Sequence, residues 1–276
     1  MNKKLLIIIL FLYLNTGNVF AQISQRPLGA LYTGSGAYSL NHVDVFSFTV
    51  NQAALAQIKN PAIGIYGERR FLLSELNFYN AVLAIPTTSG NFGLKTIYYG
   101  SGSYNETQLG LAYGRKLGNK IDIGAQFNYN GVSISSYGNA AIIGFEMGTI
   151  LHLTNHVHAG FHVSNPLGSK FGKDQEEKLP SVYTIGLGYD ASDKFLFSAE
   201  IIKEENQNVN VNAGFQYRLI PQLQTRAGIS TTNGTAWIGV GFNLKKFRID
   251  ISSSYHPKLG LTPGLLLLLN LNQKEK

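Results

Sequence analysis

The sequence predicts an all-β fold, a transmembrane antiparallel β-barrel of about fourteen strands with a short N-terminal plug or arm. Three observations carry this. Apolar and polar residues alternate with a period of two over most of the chain, the pattern of strands with one greasy and one polar face. Many of these segments run to ten or so residues, longer than the five or six usual in soluble strands and near the roughly 9–11 that cross a bilayer with tilt. Tight connections alternate with longer ones, as in outer-membrane barrels.

Composition agrees. Charged residues make up 14% of the 276, against about 25% in soluble domains, so the surface is short of charge if all of it faces water. An apolar share of 44% excludes a disordered chain. With no cysteine, a disulfide framework, a thiolate metal site and a cysteine nucleophile are excluded. Basic residues are spread singly despite a net charge of +7, so no charge block points to nucleic acid.

Along the chain, Lys3 and Lys4 precede an apolar run at 5–14, a polar break at 15–18 and Val19-Phe20-Ala21. This is the order of a secretory signal with its small-residue cleavage site. Removing 21 of the 276 residues, both lysines included, leaves 255 and lowers the charge from +7 to +5. Residues 22–60 follow as a separate piece, in which Asn51, Gln52, Ala53, Ala54 and Leu55 belong to the one short stretch that reads as a helix. Val45, Phe46, Phe48 and Val50 give this piece something to bury. It is expected to pack inside the barrel as a plug or to extend into the periplasm as a contact arm.

The barrel is expected over 61–276. Ile121, Ile123, Ala125, Phe127 and Tyr129 alternate with Asp122, Gly124, Gln126 and Asn128; Phe247, Ile249 and Ile251 alternate with Arg248, Asp250 and Ser252. Segments of this kind lie near 62–69, 75–85, 91–99, 106–116, 121–131, 138–152, 156–164, 181–190, 194–203, 208–218, 222–231, 234–243, 246–255 and 261–271. A soluble β-sandwich or lipocalin-like barrel would also alternate, with its apolar face turned inward. Export signal, strand length and alternate loop lengths favour the membrane. An even strand number puts both termini on the short-turn, periplasmic side, with the charged loop at 165–180 outside the cell.

Glycine two or more residues before an aromatic recurs at Gly110, Gly186, Gly214 and Gly239, spacing that suits close packing in the lumen. His152, His156, His158 and His162 crowd one hairpin. Imidazoles ligate transition metals, but residues two apart on a strand are ~6.6–7 Å apart, so a polar lining or a cluster at the periplasmic end is the simpler expectation. No cofactor is expected. Glu146, Arg226, Arg248 and Asp250 fall on the polar face and are expected to pair as a lumen charge network, because unpaired buried charge is costly. A head-group site for an anionic ligand is the alternative. Nothing in the chain sets out an acid, a base and a nucleophile, and an enzyme is not expected.

The order of glycine-rich leader, Asp-containing apolar stretch, Asn51-Gln-Ala-Ala-Leu55 and some fourteen strands resembles the FadL-like outer-membrane barrels. Within these the chain is more similar to the PorV and PorQ branch associated with type IX secretion, on Glu68-Arg-Arg-Phe71, Ile85-Pro-Thr-Thr88, Leu179-Pro180, Arg226-Ala-Gly-Ile229 and Arg248-Ile-Asp250. The family element usually reads Asn-Pro-Ala; here Gln52 replaces the proline. The resemblance implies a non-enzymatic barrel in the outer membrane of a Gram-negative bacterium, surrounded by lipid and acting as accessory subunit of a larger secretion or surface-protein assembly complex. The alternative it implies is a passive transporter of small hydrophobic molecules.

Overall fold

A computed structural model describes Tyr32, residues 34–171 and residues 177–271. The signal expected at 1–21 lies outside the described residues. Fourteen strands close into one antiparallel barrel: β1 (Ala62–Arg69), β2 (Asn77–Thr87), β3 (Gly90–Gly100), β4 (Tyr104–Leu117), β5 (Ile121–Ile134), β6 (Gly138–His152), β7 (Val157–Ser164), β10 (Val182–Asp190), β11 (Phe195–Glu204), β12 (Asn210–Ile220), β13 (Leu223–Ser230), β14 (Thr235–Leu244), β15 (Phe247–His256) and β16 (Gly260–Asn270). The remaining two, β8 (Lys170–Phe171) and β9 (Glu177–Lys178), form a separate ladder in the long β7–β10 loop. Each wall strand pairs with its neighbours in sequence, and β1 pairs with β16, from Ala62 opposite Asn270 to Glu68 opposite Gly264. Closure leaves no edge with unpaired backbone, the condition for a sheet in lipid.

Alternation along each strand sorts the side chains. In β15, Phe247, Ile251 and Tyr255 are exposed while Arg248, Asp250, Ser252, Ser254 and His256 are buried in the interior. The outer face carries apolar residues such as Ile65, Leu94, Leu111, Phe127, Ile143 and Leu265. Aromatic residues mark its two ends: Tyr79, Tyr98, Tyr183 and Tyr255 near the long loops, and Phe92, Tyr189, Tyr217 and Phe242 near the end where β1 begins and β16 finishes. Such belts are where amphipathic rings meet the membrane–water interface.

Residues 34–58 thread the interior. Three 3-10 segments, Ser35–Tyr38, Ser47–Thr49 and Gln52–Gln57, shape them, so the stretch expected as a helix winds more tightly than α and runs for only six residues. Asn51 sits extended before it, its side chain accepting from Ala53 N–H. That is an N-cap, which satisfies one otherwise orphaned donor.

At the loop end, Lys178 donates to both carboxylate oxygens of Glu205, at 2.6 and 2.7 Å, and ties the β7–β10 loop to the β11–β12 loop. These bonds hold the Glu205 carboxyl below its usual range. A carboxylate depressed in the folded clasp stabilises it above the ordinary carboxylate pKa and ceases to do so as the pH falls through the depressed one. Amide protection of Ser181, whose N–H also reaches Glu205, is expected to fall on acidification relative to the Glu205→Gln protein. The idea fails if the two proteins show the same pH profile.

Candidate functional site

The interior segment is held to the wall by an apolar cluster, in which Phe46, Phe48 and Leu55 join Tyr66, Phe78 and Val82, and by polar contacts, of which three groups are built from charged side chains far apart in sequence. At the first, Asp44 Oδ2 accepts from Arg248 Nη2 at 2.8 Å and from Arg226 Nη2 at 3.2 Å. Arg226, 1% exposed, also donates to the Tyr32 carbonyl at 2.7 Å and lies over the Tyr32 ring. Arg248 Nε stands 3.1 Å from Asp250 Oδ1. Arg226, Arg248 and Asp250 therefore do meet, and the group that joins the two guanidiniums is Asp44 from the interior segment, which sequence reasoning did not assign.

Glu146, expected in the same network, is not there. In the ring of fourteen strands β6 lies opposite β15, so Glu146 forms its own cluster. Its carboxylate accepts from Gln52 Nε2 at 2.6 Å, Asn128 Nδ2 at 2.6 Å and His162 Nε2 at 3.0 Å, with Lys95 Nζ at 3.9 Å. Gln52, which stands where the family element has proline, supplies a hydrogen bond that a proline ring has no group to make.

The third place gathers two of the four histidines. Asp122, His152, His158 and Asp190 form a buried chain: His152 Nε2 is 2.8 Å from Asp122 Oδ2, the two Nδ1 atoms are 3.0 Å apart, and His158 Nε2 is 3.3 Å from Asp190 Oδ2. Each aspartate also grips the interior segment. Gln57 Nε2 donates to Asp122, and Ser39 Oγ and Leu40 N–H donate to Asp190. His162 belongs instead to the Glu146 cluster, and His156 is exposed at the β6–β7 turn with Nδ1 at the Asp190 carbonyl. Among the described residues no group of three or more His, Cys, Asp or Glu is arranged to hold a metal ion.

Between these anchors the wall is shaped by glycine. Gly124 pairs with Gly114 and Gly148 on neighbouring strands, and Gly160 with Gly186. A Cβ at Gly124 would stand 2.3 Å from the Gln52 backbone, at Gly148 2.1 Å from Asn51 Oδ1, and at Gly188 1.7 Å from the Tyr38 carbonyl oxygen. Asn51 Nδ2 crosses this groove to the wall carbonyls of Phe161 and Thr149, at 3.2 and 3.4 Å. Two of the four recurring glycines show the same cause: Gly186 faces Tyr38 and Gly239 faces Tyr32.

Above the interior segment, toward the long loops, lies a cavity of about 920 Å³. Thr49 and Val50 close it below, and Gln207, Asn208 and Thr231, all exposed, stand at its upper rim. Its lining mixes amides such as Asn80, Gln108 and Asn130 with apolar Ile97, Ile202 and Trp237. The interior is thus filled at the end where β1 begins and β16 finishes and roomy at the other, more open than the dense small residues of the sequence suggest.

No protein-family model matches the chain, and no curated protein does. Solved structures are similar in fold. A monoaromatic hydrocarbon channel, CymD, superposes with a TM-score of 0.63 at 11% identity, over 93% of this chain and all of that one. A FadL homologue from Pseudomonas aeruginosa gives 0.62 at 11% identity, over 89% of this chain and 97% of the other. The Ralstonia pickettii toluene transporter TbuX gives 0.61 at 11% identity, over 91% and 98%.

Proposed function

We propose that this chain is a passive, non-enzymatic channel of the outer membrane for small molecules with an apolar body, in which residues 34–58 act as the gate. One observation carries the reading: a cavity of about 920 Å³ opens toward the long loops and is floored not by the wall but by a separate segment, seated in a glycine groove and held by polar side chains as well as by an apolar cluster. The polar contacts around the segment can be exchanged for water or ligand at modest net cost. The fold likeness to channels described as carrying hydrocarbons and toluene supports the same reading.

The accessory-subunit role, of PorV/PorQ type in secretion, is the second reading. The solved neighbours named above favour the channel, and the exposed apolar face is what any lipid-bathed barrel presents.

Flux of a small aromatic probe into proteoliposomes tests the channel. Wild-type protein is expected to raise the rate above protein-free vesicles, and Asn51→Ala to raise it further. That variant removes the cap, worth about 0.5–2 kcal/mol, together with both wall contacts, so the open population should grow by roughly twofold to thirtyfold. Rates indistinguishable from empty vesicles for both proteins, together with stoichiometric recovery of a partner protein from native membranes, would reject the channel in favour of the accessory role.

A further inference from the structure

The cavity is lined by three carboxylates, Glu146, Glu200 and Glu204, against one ammonium, Lys95. Lys95 is accounted for by Glu146, which it approaches at 3.9 Å. Glu200 differs. It is 7% exposed, and its hydrogen bond is from a neutral amide, Asn212 Nδ2 at 2.8 Å. Among the described residues no Lys, Arg or His lies within ion-pair distance of it. A carboxylate confined by the wall on most sides and open to a cavity on one, with a single neutral hydrogen bond, is a ready partner for a cation that enters that cavity.

Position makes that deficit informative. Glu200 borders both the large cavity and a narrow extension of about 20 Å³, as do Asn212, Val50 and Trp237. Two residues further along the same face of β11 stands Ile202, and beyond it Glu204 with Val182 of β10 opposite, all lining the large cavity. The carboxylate thus stands between Gly186 and Asn212, with apolar Ile202 and Val182, aromatic Trp237 and a second carboxylate, Glu204, around the space above it.

We propose that Glu200 anchors the cationic head of an amphipathic organic ammonium, whose aryl or alkyl body lies against Ile202, Val182 and Trp237. The ammonium N–H groups donate to the carboxylate, a charge-assisted bond about twice as strong as a neutral one, and the indole adds attraction for a nearby cation. Asn212 holds the carboxylate in place. An inorganic cation is poorly served here, since one carboxylate and one amide leave most of its coordination shell unfilled. This assignment rests on the channel reading and names a ligand class for it.

The chain has a single tryptophan, and it is Trp237, so indole fluorescence reports on the cavity that holds this site. Purified protein in detergent is titrated with benzylammonium, benzyl alcohol, benzoate and sodium chloride. Benzylammonium is expected to give a saturable change, tighter than benzyl alcohol by at least about tenfold, with Glu200→Gln erasing that preference. Equal responses to benzylammonium and benzyl alcohol in the wild-type protein overturn the proposal without any variant, so a misfolded Glu200→Gln protein cannot shield it. A stronger response to benzoate, or an equal one to sodium chloride, overturns it as well. Flux of a neutral aromatic in proteoliposomes is scored separately: flux without ammonium preference rejects this site and keeps the channel, and ammonium binding without flux does the reverse.

Discussion

Asp44→Ala is expected to unseat residues 34–58 from the barrel wall. The substitution leaves Arg226, 1% exposed, with the Tyr32 carbonyl and ring but no anion, while Arg248 keeps only Asp250. Removing one partner of a buried ion pair costs roughly 3–5 kcal/mol, because the other charge stays desolvated. Applied to the seat of this segment, that lowers its closed population by on the order of a hundredfold or more. Limited chymotrypsin digestion reads this directly, since Tyr38, Phe46 and Phe48 offer cleavage sites that are buried in the closed state. The Asp44→Ala/Arg226→Met protein should recover much of the protection, as it removes the stranded guanidinium and keeps the Arg248–Asp250 pair. An Asp44→Ala protein cut no faster than wild type would show that these ion pairs do not hold the segment.

Gly188→Ala should act on the same segment by crowding rather than by charge. The new Cβ would stand 1.7 Å from the Tyr38 carbonyl oxygen, and a backbone atom cannot turn aside as a flexible side chain can. Either the Ser35–Tyr38 turn or β10 must shift. Overpacking of this kind costs about 1–3 kcal/mol. Because the barrel ladder has many more bonds than the interior segment, the segment is expected to yield first: faster chymotrypsin cleavage and higher flux, with the folded barrel still resisting unfolding in detergent. Gly102→Ala, where a Cβ meets nothing within 4 Å, is the control and should match wild type. Equal cleavage of the Gly188→Ala and Gly102→Ala proteins would refute the crowding argument.

The wall was legible in the sequence because its cause is local. A strand whose alternate residues face lipid and lumen writes that division into a period of two, and segments such as 62–69 and 138–152 coincide with β1 and β6. Pairing in the lumen is different, because it depends on which strands face each other around a closed ring. Arg248 and Asp250, two apart on one strand, could be paired from sequence alone. Glu146 could be placed on the polar face but not assigned a side of the ring, and that is why it was grouped with arginines across the lumen. Asp44 reaches its partners over more than 180 positions, and no periodicity records such a contact. The glycines were visible but their reason was not: an absent side chain shows that something approaches, without naming Tyr38 or Asn51 as what does.

Strand closure also constrains the order in which the molecule can be made. The seam joins Ala62 to Asn270, the two ends of the wall, so the ring stays open until its last strand exists. Contacts between such distant positions carry the largest loop-closure cost and form late. The segment that fills the lumen is joined to the first strand of that seam, and the ring encircles it on all sides. Its enclosure is therefore complete only when that final pairing forms, so the seam and the seat of the segment share one closing contact.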